Sequence, residues 1–192
     1  ANLLAAMVCS LRGSVCVYQG EELGLTEAEL PYESLQDPYG IAFWPQFKGR
    51  DGCRTPMPWS DDDVHAGFSG GTPWLPVPPE HRALAVTRQE ADPGSVLNGF
   101  RAFMHWRRSQ PALRWGDIRF IDTAEPLLAF TRHLDGQTVL VVFNLADAET
   151  EMSLPAAFAR VSPLDGHGLR CGDLRNGKLR LPGYGACFAS VA

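Results

Sequence analysis

Arg50, Asp51 and Arg54 stand inside the run Gly49-Arg50-Asp51-Gly52-Cys53-Arg54-Thr55-Pro56-Met57-Pro58-Trp59, downstream of a second run, Tyr18-Gln19-Gly20-Glu21-Glu22-Leu23-Gly24. Together they set charged, hydrogen-bonding and aromatic side chains on loop-forming Gly and Pro, the composition of a polar ligand site on a rigid frame. A guanidinium fork donates to several oxygens at once, so Arg50 is the residue expected to reach the hydroxyls of a sugar, the alternative being that it ties the loop to the rest of the fold. Arg54 and Asp51 are expected to tie the loop to itself as an internal ion pair. Gln19 and Glu22 either line the sugar pocket or hydrogen-bond the backbone of the long loop. Of the three tryptophans in this region, Trp44 is placed at the pocket as a stacking surface, whereas Trp59 and Trp74 are expected to pack under the loop.

Glu21 and Glu22 are not a reacting pair. Two carboxyl groups acting as nucleophile and general acid must converge on one bond. Neighbours at an extended strand end point to opposite sides. Asp61-Asp62-Asp63 lacks the glycine and terminal Glu of a calcium loop and reads as a solvated turn. The five His are isolated, so zinc is not expected. No metal and no redox or organic cofactor is assigned.

The elements that position these residues follow from the pattern. Leu3, Leu4, Met7, Val8 and Leu11 fall on one helical face, with Gly13 as the stop. Ser14 to Tyr18 is apolar on both faces, as in a strand buried in a parallel sheet or barrel. A long aperiodic loop runs from Leu25 to about Asp92. Asp92-Pro93 then supplies an N-cap and a first-turn proline for a helix to Arg108, with Val96, Leu97, Phe100, Phe103 and Met104 as its apolar stripe. Helix, buried strand, long loop, helix is the order of the closing unit of a (β/α)8 barrel. After Trp115 the pattern changes to short strands at Asp117 to Thr123, Leu127 to His133, Thr138 to Phe143, Lys178 to Leu181 and Ala186 to Val191. Asp135-Gly136 and Asn176-Gly177 supply hairpin turns. The expected organisation is residues 1–115 as the C-terminal part of an α/β barrel, with the long loop after its last strand, and 116–192 as a small antiparallel β-sandwich.

The two site runs closely resemble the last strand and following loop of the α-glucosidase branch of the α-amylase superfamily, family 13 of the glycoside hydrolases. Relatives there carry Tyr-Gln-Gly-Glu-Glu and Arg-Asp-Asn-x-Arg-Thr-Pro-Met-Gln-Trp. Ala66-Gly67-Phe68-Ser69, Pro73-Trp74-Leu75-Pro76-Val77 and the helix from Ser95 to Arg108 match in order. Gly52 replaces the relatives' Asn and Pro58 their Gln. The resemblance implies a retaining α-glucosidase acting on terminal, non-reducing glucose of small α-glucosides, with Arg50 holding that glucose. A sucrose-acting or transglucosylating relative on the same frame and a non-catalytic relative are the alternatives. In the family the reacting Asp and Glu and a further Asp of an Asn-His-Asp motif sit on earlier strands, and no Asn-His-Asp occurs here. The expectation is therefore that the catalytic carboxylates lie upstream and are absent from this chain, whose partner is the missing N-terminal part of the barrel.

Composition sets outer bounds. With 45 % hydrophobic and 20 % charged residues in 192, the chain can bury a core. A net charge of −5 with scattered Lys and Arg argues against nucleic acid. No stretch reaches the roughly 18 to 20 apolar residues of a membrane span, and no signal peptide opens the sequence. Ala1 is not an initiator Met, and the uncapped first helix reads as a start inside an element. Five cysteines without a C-x-x-C pair point to reduced thiols. The expected location is cytoplasmic, with the periplasm left open.

Overall fold

The computed structural model describes residues 1–158 and 160–191. Its helices are α1 (Asn2–Ser10), α2 (Pro38–Ala42), α3 (Pro79–Arg82), α4 (Val86–Ala91), α5 (Val96–Arg108) and α6 (Pro111–Trp115). Its strands are β1 (Asp117–Ile121), β2 (Leu127–Leu134), β3 (Gln137–Asn144), β4 (Thr150–Ser153), β5 (Val161–Pro163), β6 (Asp173–Arg175), β7 (Lys178–Leu181) and β8 (Ala186–Val191). The chain forms two compact units, Ala1–Cys16 with Gly99–Ala192, and Val17–Asn98.

In the first unit an antiparallel sheet of order β1-β2-β3-β8-β5 packs with a three-stranded sheet, β4-β7-β6. The two-residue turns are where the sequence places them. Asp135 and Gly136 take φ of 47° and 83°, Asn176 and Gly177 take 51° and 72°, the left-handed pair that a type I′ hairpin requires. Strand alternation then sorts side chains to two cores. Phe130, Val139, Val141, Phe143 and Phe188 join Leu3, Ala6, Phe103, Trp106 and Leu113 of the helices. Ala129, Leu140, Val142, Cys187 and Ala189 join Leu179 and Leu181 of the small sheet. The large sheet is thus apolar on both faces, which is why its strands read as continuous apolar runs. Strands β4, β5 and β6 are additional to the sequence reading; at three or four residues each, they are too short for a period to register.

Two buried-to-half-buried arginines close the helix ends of this unit. Arg132 of β2, 1 % exposed, donates to the carbonyls of Ser10 (2.5 Å), Leu11 (2.9 Å), Leu113 (3.0 Å) and Gly116 (2.7 Å). Arg107 donates to the carbonyls of Cys9 (2.6 Å) and Leu113 (3.3 Å). These acceptors are the orphan carbonyls of α1 and α6, where the helix dipole is negative. Burial lowers the Arg132 pKa, helped by the nearby positive charges of Arg107 and Arg12.

The structure corrects several sequence expectations. In α1 the buried residues are Leu3, Ala6, Cys9 and Ser10, while Leu4 and Val8 are exposed. The helix is apolar nearly all round, so periodicity cannot select its face; small side chains at 6, 9 and 10 present the closest-packing side. Ser14 to Tyr18 pairs with no strand among the described residues, and Val17 and Tyr18 are exposed. A strand exists only through its ladder, and apolar composition alone supplies none. Helix α5 is capped not by Asp92 but by Ser95, whose hydroxyl accepts the Asn98 N–H at 3.2 Å, while Asp92 closes the preceding turn by accepting the Gly94 N–H at 2.8 Å. Its buried stripe also includes Trp106.

In the second unit, α2, α3 and α4 are set in irregular chain around two small cores. Leu23, Met57 and Leu97 form one; Ala28, Leu30, Leu35 and Leu75, with Trp44 against them, form the other.

Candidate functional site

The loop from Gly49 to Trp59 is built around two carboxylates. Asp51, fully buried, opens a 3-10 turn (Asp51–Cys53), and its Oδ2 accepts the backbone N–H of Gln36 and of Asp37 at 2.6 Å each. Asp37 is the N-cap of α2, accepting the Tyr39 N–H at 3.0 Å through Oδ1. Its Oδ2 accepts the backbone N–H of Arg50 at 3.0 Å. The Arg54 guanidinium lies 3.7 Å from Asp37 and 3.8 Å from Asp51. Burial pushes the Asp37 pKa up, but the N–H groups of Arg50 and Tyr39 and the charge of Arg54 outweigh it, and the net direction is down. Arg54 and Asp51 therefore act as scaffold, as the sequence indicates.

Glycine is required where this backbone folds on itself. Gly49 is buried with φ of 73°, and a Cβ there would lie 2.9 Å from both Asp37 and Gly40. At Gly52 a Cβ would lie 2.4 Å from the carbonyl oxygen of Ala28, whose own N–H donates to the Gly52 carbonyl at 3.0 Å.

Upon this frame Arg50 stands apart. Its backbone is fixed, yet its side chain is exposed and makes no hydrogen bond or ion pair among the described residues. Gln19 donates to the Thr55 carbonyl at 3.1 Å, and Glu22 accepts the Gly20 N–H at 2.9 Å, so both engage backbone. Trp44 is half-buried against the Leu30 and Leu35 core, its ring 5.7 Å from that of Tyr32. Trp59 and Trp74, expected to be packed, are instead 51 % and 60 % exposed, which corrects that assignment. Their Gly- and Pro-rich surroundings supply few side chains to cover a ring of that size.

A cavity of about 200 Å³ brings Gln19 together with Tyr18, Glu21, Cys53, Thr55 and His81; Arg50, Glu22 and Trp44 do not line it. His81 is buried, with Nε2 donating to the Thr26 carbonyl at 2.8 Å; its Nδ1 accepts from the Thr55 hydroxyl at 3.0 Å. Asp37 and His81 are the residues sequence reading missed. Asp37-Pro38 does carry the cap-plus-proline signature of a helix start, whereas nothing local marks His81.

Asp61 is tied down rather than free, with Arg88 at 2.5 Å and Thr87 at 3.0 Å, and the Arg88 hydrogen bond lowers its pKa. Among the described residues no group of three or more His, Cys, Asp or Glu could hold a metal ion. No described helix is long and apolar enough to cross a membrane.

Residues 1–116 match the family model for the alpha amylase catalytic domain, and residues 118–187 match that for the maltogenic amylase C-terminal domain. The chain is 50 % identical over 192 residues to a probable alpha-glucosidase of Rhizobium meliloti strain 1021, covering all of this chain and 34 % of that protein. It is 30 % identical over 174 residues to an oligo-1,6-glucosidase of Parageobacillus thermoglucosidasius, covering 81 % of this chain and 31 % of that one. Among solved structures, the alpha-glucosyl transfer enzyme XgtA superposes with a TM-score of 0.94 at 53 % identity, over 100 % of this chain and 35 % of that chain. The chain thus spans about a third of the length of these curated relatives. Its fold is the C-terminal part of the amylase catalytic fold followed by a small antiparallel β-sandwich.

One expectation is overturned. The catalytic carboxylates were expected upstream and absent from this chain, but the catalytic-domain model maps onto residues 1–116 of the chain itself. Setting the length of a whole barrel against 192 residues does not decide where catalytic-domain sequence lies, because a closing helix, loop and helix are already part of that domain.

Proposed function

Because the chain belongs to the α-amylase family, we propose that it serves an α-glucosidase acting on terminal α-linked glucose of small α-glucosides of the maltose, sucrose or isomaltose type. The observation that carries this reading is Arg50, whose backbone is anchored by a buried carboxylate while its guanidinium is exposed and unpaired among the described residues. Such a group offers several N–H donors to a sugar without first breaking an internal ion pair. We assign Gln19, Glu22 and Trp44 to the glucose site with Arg50, Trp44 as an aromatic surface; of the four, Gln19 alone lines the 200 Å³ cavity. The two relatives named as glucosidases support hydrolysis. We assign residues 1–115 to the barrel domain and 116–192 to the sandwich, with the earlier part of the barrel as the partner that completes the site. The cytoplasm is the proposed location.

Glucosyl transfer is the second reading, favoured by the TM-score of 0.94 to an alpha-glucosyl transfer enzyme. The two share the glucose site and differ in the acceptor.

Arg50→Ala tests the proposal. Loss of a charged hydrogen bond that strengthens in the transition state costs about 2–4 kcal/mol, roughly 30- to 1,000-fold in kcat/KM. Glucose release from maltose, isomaltose and sucrose is measured in the whole protein. Unchanged kinetics in a folded Arg50→Ala protein would falsify the assignment.

A further inference from the structure

A second cavity in the same unit, of about 510 Å³, lies apart from the residues assigned above and is lined by Glu33, Gln36, His65, Thr72, Trp74 and Arg82 among others. Its volume is in the range of small-molecule sites. Two features set it apart from an incidental surface groove. The first is backbone conformation: His65 and Ala66 adopt φ of 51° and 54°, consecutive left-handed residues with a Cβ, in a chain where Gly67 stands next to them. Such a pair persists only where its surroundings fix it. Here they do. The Ala66 carbonyl accepts from both Trp59 and Ser60 N–H at 2.9 Å, and Arg82 donates to the carbonyls of Asp61 (3.0 Å) and Asp63 (2.8 Å) just before the strained pair. The second is Trp74, which is 60 % exposed yet held at the cavity wall beside fully buried Leu75.

We propose that this cavity is a binding site for a neutral hexopyranose ring, with Trp74 stacking on its C–H face and His65, Glu33, Gln36 and Thr72 bonding its hydroxyls. The chemistry favours a sugar over the alternatives. An exposed indole beside donors and acceptors matches a ring that is apolar on one face and polar at its rim. The lining carries one carboxylate and one guanidinium, and Arg82 already spends NH1 on two carbonyls, so no surplus positive charge is aimed at a phosphate. The strained backbone at His65 is explained as the device that turns its imidazole toward the cavity. This inference does not depend on Arg50 or on the reaction assigned above.

The test follows the indole N–H resonances of the protein by NMR while maltose is added, with the Trp74 signal identified through Trp74→Phe. Saturable movement of the Trp74 resonance is expected. His65→Ala and Glu33→Gln should weaken the binding read from the Trp74 resonance about tenfold, and Trp74→Ala should lower the number of sites measured by calorimetry by one. Trp74→Phe, which keeps a ring, should retain part of the affinity lost in Trp74→Ala. Arg50→Ala should leave the Trp74 movement intact, which separates failure here from failure of the glucose-site assignment. A Trp74 resonance that stays still at the highest soluble maltose overturns the proposal. So does loss of its movement in Arg50→Ala, or tighter binding of glucose 6-phosphate than of maltose.

Discussion

The Asp37 carboxylate accepts the backbone N–H of Arg50 across 3.0 Å while capping α2 with its other oxygen, so one side chain fixes both the helix start and the base of the exposed guanidinium. Asp37→Asn should disturb both. A displaced Arg50 is expected to lower kcat/KM by up to about 100-fold, mostly through kcat, as steady-state kinetics on maltose would show. The same substitution has a pH signature. A carboxyl held below its unfolded value near about 4 stabilises the fold above that pH, and the contribution disappears as pH falls through the folded value. The difference in Tm between wild type and Asp37→Asn should be present at neutral pH and close in acid. A pH-independent difference would remove the role given to the charge.

Gly52→Asn restores the residue found in the resembling loops, and here it should destabilise. A Cβ would enter the space of the Ala28 carbonyl oxygen at 2.4 Å, so either the loop or the 26–30 segment must move. Overpacking of this kind costs about 1–3 kcal/mol, readable by urea denaturation. A neutral result would show that the close approach is not enforced.

Arg132→Met should unfold the first unit more readily than its conservative volume suggests. The carbonyls of Ser10, Leu11 and Gly116 lose their side-chain donor, and Leu113 keeps only the longer contact from Arg107 at 3.3 Å. A cost of about 3 kcal/mol or more is expected, a Tm loss of roughly 6–12 °C. Calorimetry giving a change below about 1 kcal/mol would show that water replaces the guanidinium at these helix ends.

None of the five cysteines is in a disulfide, and their environments differ. Cys16 and Cys53 are exposed, Cys171 is exposed with its pKa raised by burial of the thiol, and Cys187 is buried with its pKa pushed up to about 11. Because the thiolate is the nucleophile, neutral-pH alkylation should label Cys16 and Cys53 first, Cys171 more slowly, and Cys9 and Cys187 only after denaturation. Mass spectrometry of timed samples reads the order, and early labelling of Cys187 would contradict the packing between the two sheets.

The sequence carries local information well and distant information poorly. Asp135-Gly136 and Asn176-Gly177 announce their hairpins because a left-handed pair is a property of two residues. The start of β7, directly after Asn176-Gly177, is legible for the same reason. Arg132 is not, since its acceptors at Ser10 and Leu11 lie far along the chain, and an arginine within a strand reads as solvent-facing. Tryptophans mislead in the opposite sense: hydrophobicity favours burial, yet Trp59 and Trp74 stay exposed while Trp44 packs. Gly49, one of the loop-forming glycines of the run, is buried between Asp37 and Gly40, a close approach that composition alone does not reveal.

The large sheet is apolar on both faces, and this changes what holds its strands in place. In most sheets a one-residue slip is forbidden because it would turn the greasy side to water. If β3 slipped against β2, Val139, Val141 and Phe143 would trade places with Leu140 and Val142, and both sets would still meet hydrocarbon. Oil on either side is indifferent to the choice. The alignment must then come from features that cannot be exchanged: the left-handed corner at Asp135-Gly136, the Arg132 cation that has acceptors on only one side, and Asn144, buried at the far end of β3 and bonded to the Ala148 carbonyl at 2.7 Å. A turn, a charge and an amide act as the index marks of an otherwise unlabelled ruler.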